Sequence, residues 1–118
     1  MTMGANSELA KYSIDLSIEI VGYYKWLAGE KKEFVMSRQI LRSGTSIGAN
    51  IHEAYYAVSK PDFIAKMQIA LKECSETEYW IKILEATGYF DYKFNVIKEK
   101  NTSIKRMLIA TLNTSKNG

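Results

Sequence analysis

At 118 residues, with a net charge of +3, 47% hydrophobic and 25% charged residues, the chain has the size and balance of one ordinary globular domain. Disorder beyond the ends is excluded, and the lone Cys74 excludes an intramolecular disulfide framework and suits a reducing compartment. No apolar run approaches the length of about 18 residues that a membrane span needs, and the opening MTMGANSELAKYS has no basic start followed by an apolar stretch. A cytoplasmic protein with no membrane partner is expected.

One proline in the whole chain leaves little to interrupt helices. Ser7 is placed to cap a first helix that contains Glu8 in its first turn and runs to about Ala28. Leu9, Tyr12, Leu16, Glu19, Tyr23 and Trp26/Leu27 recur at helical spacing, and Ile14, Ile18 and Val21 widen the apolar arc. Both sides of that arc are expected to meet something. Gly29 followed by Glu30, Lys31, Lys32 and Glu33 reads as a turn.

The second helix is predicted from Phe34 to Val58, with Met36, Ile40, Ile47, Ile51, Ala54 and Val58 as its apolar row. Its middle, RSGTSIGANI, is rich in small residues, and each interior glycine weakens an isolated helix by about 1 kcal/mol. Small side chains also let another backbone approach, so tight packing is expected to keep the helix whole; a break at Ser43-Gly44 is the competing outcome. Ser59, Pro61 and Asp62 then mark the start of a third helix, as N-cap, first-turn proline and an acid three residues after the cap. Phe63, Met67, Ala70/Leu71, Cys74, Ile81 and Leu84 form its inward row, and Gly88 ends it. A fourth helix starts near Asp91 with Phe94, Ile97, Ile104, Met107/Leu108 and Thr111 at helical spacing. Asn113 to Gly118 reads as a frayed tail, which makes residues 7–113 the ordered part of a single domain spanning 1–118. Four helices with short connections predict an all-α, antiparallel up-down-up-down four-helix bundle.

No catalytic pattern is found. His52 is the only histidine and has no second histidine at metal-ligand spacing; RSGTSIGANI lacks the lysine and the preceding strand of a phosphate loop. Ser46 has no histidine neighbour, Cys74 lies in an apolar row, and Glu73, Glu76, Glu78 and Glu85 lack the matched histidines of a carboxylate metal bundle. A non-enzymatic protein without cofactor or metal is expected.

Helix two carries a longer polar pattern. At 100° per residue Gln39, Arg42, Ser46, Asn50 and Glu53 fall within about 80° of one another, away from the apolar row. Ordinary solvent exposure is one reading. The other is an ordered seam between helices or subunits, with Arg42 meeting Glu73 or Glu76 and Asn50 bonding both ways; if buried, loss of Arg42 would then cost about 3–5 kcal/mol. The aromatics lead to the same question, because a small bundle core cannot bury all of Tyr23, Tyr24, Tyr55, Tyr56, Tyr79, Trp80, Tyr89 and Tyr92. Some must face solvent or a partner, and Tyr and Trp are favoured at interfaces.

Charge is uneven. Residues 89–118 hold six Lys/Arg against two Asp/Glu, which suits either a solvated helix C-terminus or an acidic or nucleic-acid partner. Lys98, Lys105 and Arg106 are the candidates for contact with RNA or DNA.

Gln39, Ile40, Arg42, Ser43, Ser46, Ile47, Asn50, Ile51 and Glu53, followed by Ser59, Asp62, Phe63, Ala70, Leu71, Glu73, Glu76, Tyr79 and Trp80, closely resemble the four-helix-bundle proteins encoded in intervening sequences of bacterial 23S rRNA genes. The resemblance covers about residues 8–112 and rests on RSGTSIGANIHEA and IALKECSETEYW in that order. It implies a bacterial, cytoplasmic bundle that assembles as a ring-like homopentamer. It also implies kinship with the accessory subunit of diversity-generating retroelements, which binds a reverse transcriptase and nucleic acid. Ala54 stands where many members have glycine and His52 where alanine is usual, so His52 carries no shared function. The retroelement relatives are more basic than this chain.

The expectation that follows is an oligomeric scaffold or interaction protein whose seam comprises Gln39, Arg42, Ser46, Asn50, Glu53, Glu73 and Glu76, with itself or another protein as partner. The alternative is a nucleic-acid-binding accessory acting with a reverse transcriptase or RNA partner, where five copies at +3 each would multiply a weak monomer charge.

Overall fold

In the computed structural model, which describes residues 7–91 and 93–117, Ser7 starts the first helix as the sequence pattern requires: its Oγ accepts from the Ala10 amide at 3.0 Å. Helix α1 spans Glu8–Gly29, α2 Met36–Ala54, α3 Lys60–Ala86 and α4 Phe94–Asn117. Each helix packs on its neighbours in sequence and α4 closes on α1, giving an antiparallel four-helix bundle in which α1 and α3 occupy opposite corners. Among the described residues there is no strand. Leu16, Ile20, Leu27, Ile40, Ile47, Ile51, Met67, Leu84, Ile97, Ile104 and Leu108 are fully buried in one shared core.

The boundaries of α2 differ from the sequence pattern at both ends. Phe34 and Val35 lie outside and exposed, because Glu33 caps the helix from before its start: its carboxylate accepts from the Ser37 amide at 2.8 Å and the Val35 amide at 3.4 Å. At the other end the chain leaves the helix after Ala54, since Ser59 must reach an extended conformation (φ −160°, ψ 165°) to cap α3. Val58, assigned to the apolar row by spacing, is therefore 93% exposed. Ser59 Oγ accepts from the Asp62 amide at 3.2 Å, and Asp62 accepts in return from the Val58 amide at 3.2 Å, so the predicted box forms with its second bond one residue earlier than usual.

Helix α2 is unbroken at Ser43-Gly44. Packing explains it: a Cβ on Gly44 would sit 2.9 Å from Ile20 Cδ1, and one on Gly48 would sit 3.3 Å from Ser13 Oγ, so the two glycines let α1 lie closely against α2. Gly88 adopts φ +88° and closes α3, its N–H donating to the Glu85 carbonyl and the Tyr89 N–H donating to the Leu84 carbonyl. At the C-terminus α4 continues to Asn117 rather than fraying from Asn113, with Leu112 anchored in the core; Gly118 lies outside the described residues.

Candidate interaction surface

The polar stripe of α2 is laid along the flank that faces α3, because the apolar row Ile40, Ile47 and Ile51 fixes the rotation of the helix about its axis. Arg42 reaches across to α3, pairing with Glu76 and, at 3.4 Å, with Glu73, while its second nitrogen also contacts Gln39 at 3.5 Å. Trp80 Nε1 donates to the same Glu76 carboxylate at 3.0 Å, so one acid holds a guanidinium and an indole. One helical end away, Glu53 pairs with Lys66 at 3.0 Å, and this hydrogen bond raises the Lys66 pKa above its ordinary value. The stripe thus has two charged stations between α2 and α3.

It is not a buried seam within one chain. The Arg42 side chain is 51% exposed and that of Glu53 57%, and Asn50 does not cross to another helix: it donates back to the Ser46 carbonyl at 2.9 Å and to Ser46 Oγ at 3.2 Å. Water screens such pairs, so within the monomer the Arg42 contacts contribute about 0–1 kcal/mol, not the several kcal/mol of a buried pair.

The buried polar contacts lie elsewhere. Thr77 Oγ1 donates to Ser43 Oγ at 2.9 Å between α2 and α3, and Asn101 Nδ2 donates to the Cys74 carbonyl at 3.2 Å between α4 and α3. Both Thr77 and Asn101 occupy the three-and-four rhythm of their helices' apolar rows, a signal available in the sequence and obscured by their polarity. Asn101 Oδ1 and Ser37 Oγ are buried without a hydrogen-bond partner.

Of the basic candidates on α4, Lys98 is bound to Glu85 at 3.0 Å and Lys105 to Glu78 at 3.4 Å, both on α3. Arg106 is exposed with no such partner among the described residues. The aromatics divide: Tyr23 is buried, Tyr24, Tyr55, Trp80 and Tyr89 are half-buried, Tyr56 and Tyr79 are 75% and 55% exposed, and Tyr92 lies outside the described residues. Tyr23 stacks on Trp26, meets Phe94 edge-on and donates its hydroxyl to the Tyr89 carbonyl; burial chiefly raises its pKa, helped by the charges of Asp91 and Glu33.

The groups with chemical potential are committed to the core or spread over the surface. Burial pushes the Cys74 thiol up to about 12. His52 is half-buried beside Glu53, Tyr56, Asp62 and Lys66 in a shallow depression, and among the described residues no three His, Cys, Asp or Glu side chains are grouped to hold a metal ion.

The matching of the chain to known families falls on this same bundle: a family model described as 23S rRNA-intervening sequence protein covers residues 5–110. The chain belongs to that family. A protein of similar fold has been crystallised from Bacteroides thetaiotaomicron, described as a protein with unknown function from the S23 ribosomal protein family. It is 49% identical, with a TM-score of 0.86 over 89% of this chain and 95% of its own. No curated protein matches. Among the described residues no helix of this family member is long and apolar enough to cross a membrane.

Proposed function

We propose that this protein is a non-enzymatic, oligomeric scaffold or interaction protein of the cytoplasm. The observation that carries the reading is that a bundle whose core is already closed by four helices still presents large apolar side chains on its outer helix faces: Ile18 is 63% exposed on α1, and Ile69 and Tyr79 are 42% and 55% exposed on α3. Apolar residues that recur along a helix face suit a partner better than water. The cluster of half-exposed Arg42 with the more covered Glu73, Glu76 and Trp80 on the α2 and α3 side would supply the polar rim such a contact needs. The family resemblance favours a homopentamer as the assembled state. Static light scattering at micromolar concentration tests the reading: a mass of several chains is expected, and a mass of 13.5 kDa would overturn it.

Contact with RNA or DNA is the weaker reading. Two of its three candidate cations are neutralised by acids of α3, which leaves Arg106 as the one candidate without a partner. A gel shift at low salt distinguishes the readings, since a scaffold without nucleic-acid affinity leaves RNA and DNA unretarded while a rim of repeated Arg106 side chains retards them in a salt-sensitive way.

A further inference from the structure

Towards the end of α1, Glu19, Tyr23, Trp26 and the cap residue Glu30 recur four, three and four residues apart, which puts them on one face of the helix. The order along that face is acid, ring, ring, acid. At 1.5 Å per residue the two acids stand about 16 Å apart along the axis, with both rings between them. Asp91, in the loop before α4, closes the other side of a cleft of about 640 Å³, a volume that suits a small molecule. Gly22 lines the same cleft with nothing within 4 Å of an added Cβ, so its floor stays open.

The acids of this cleft are not spent on other cations. Among the described residues neither Glu19 nor Glu30 has an ion-pair partner, and Asp91 uses one oxygen to accept from the Lys93 amide at 2.9 Å. Lys93 is the one cation in the lining, against three carboxylates. The charge of Asp91 reaches the ring wall, where it adds to the burial that raises the Tyr23 pKa. The indole face already takes an ammonium group: Lys31 Nζ stands 5.3 Å from the centre of the Trp26 ring. No acid among the described residues pairs with the exposed Lys31, so the ring, not a carboxylate, holds it there. That contact samples, within the chain, the chemistry the cleft attracts.

We propose that the cleft binds an elongated organic cation of the polyamine class, with its terminal ammonium groups at Glu19 and Glu30 and its methylenes along the Trp26 ring. Asp91 adds its charge from the opposite wall. An anion would meet three carboxylates, and a metal dication has no methylenes to lay on the ring. Charges spread along one flexible ligand engage separate acids together, so pairs that water screens singly add up. Every lining residue comes from one chain, so the inference stands apart from self-association.

Isothermal titration calorimetry with spermine at low salt tests it, with magnesium chloride as the control for charge alone. One spermine per chain is expected. Glu19→Gln and Glu30→Gln, which keep the shape of the side chain and so the fold, should each raise Kd by about three- to fivefold, as the loss of one exposed pair implies. Glu8→Gln removes the same charge at the far end of α1 and should leave Kd unchanged. Lys31→Gln should tighten binding, because it frees the face of Trp26. In NMR spectra the Trp26 indole N–H should shift on titration while that of Trp80, held by Glu76, stays in place. The proposal is overturned if spermine does not bind, if Glu8→Gln loses as much affinity as the cleft variants, if Lys31→Gln binds no tighter, if the Trp26 indole does not move, or if magnesium at equal concentration displaces spermine.

Discussion

Tyr23 shows how much one side chain can hold. Its ring joins Trp26 and Phe94, and its hydroxyl fastens the turn after α3 to α1 through the Tyr89 carbonyl. Tyr23→Phe keeps the ring contacts and leaves that carbonyl short of a donor, so urea unfolding is expected to report a loss of about 1–2 kcal/mol. Tyr23 and Cys74 also make stability pH-dependent in a definite sense. Both are acids whose protonated form is favoured by burial, and so both have folded pKa values above their unfolded ones. Their contribution is complete below the unfolded values and is lost as pH rises through the folded ones. Unfolding midpoints are therefore expected to fall from about pH 9 upward, and Cys74→Ala should remove the part of the fall between 9.0 and about 12. A flat profile across that range would contradict the burial of both groups. The Ser43 and Thr77 hydroxyls form a closed pair, so Thr77→Val alone should cost about 1–3 kcal/mol by stranding Ser43, while the double change to Ala and Val should recover part of it in a double-mutant cycle.

At the scale of helices, glycine separates packing from propensity. Gly22 lies in the exposed middle of α1 with nothing within 4 Å of an added Cβ, whereas a Cβ added at Gly44 would meet three carbons of Ile20 at 2.9–3.1 Å. Gly22→Ala is expected to stabilise by about 0.5–1 kcal/mol from helix propensity alone. Gly44→Ala gains the same propensity but must displace Ile20 in the core, at a cost of about 1–3 kcal/mol, so its net effect is a lower melting temperature. The same contrast explains what the sequence made legible. The four helices followed from apolar spacing, and the Ser7, Ser59 and Gly88 ends from side-chain chemistry that acts locally. The start of α2 did not, because Glu33 caps it from a turn that spacing reads as loop. Val58 kept the apolar rhythm after the chain had already left the helix. Thr77 and Asn101 sat in the rhythm and were passed over as polar, although a buried hydrogen bond makes such positions part of the core. Arg42 to Glu73 or Glu76 was legible because its partners lie on adjacent helices of an antiparallel bundle. Its exposure was not, since that depends on where α3 stands relative to the rim of α2.

For the molecule as a whole, the monomer needs none of its outer apolar rows to be folded: the core is closed without Ile14, Ile18 or Ile69. The proposed function through assembly would use those outer side chains, which the monomer core does not. The Arg42 station belongs to that level too. Its removal by Arg42→Ala is expected to change monomer stability by no more than about 1 kcal/mol in urea unfolding, because water screens its pairs with Glu73 and Glu76. The most direct measurement is sedimentation equilibrium of the wild-type chain across the micromolar range. A mass that is an integral multiple of 13.5 kDa, dissociating on dilution, is predicted; a single 13.5 kDa species at every concentration would contradict the account.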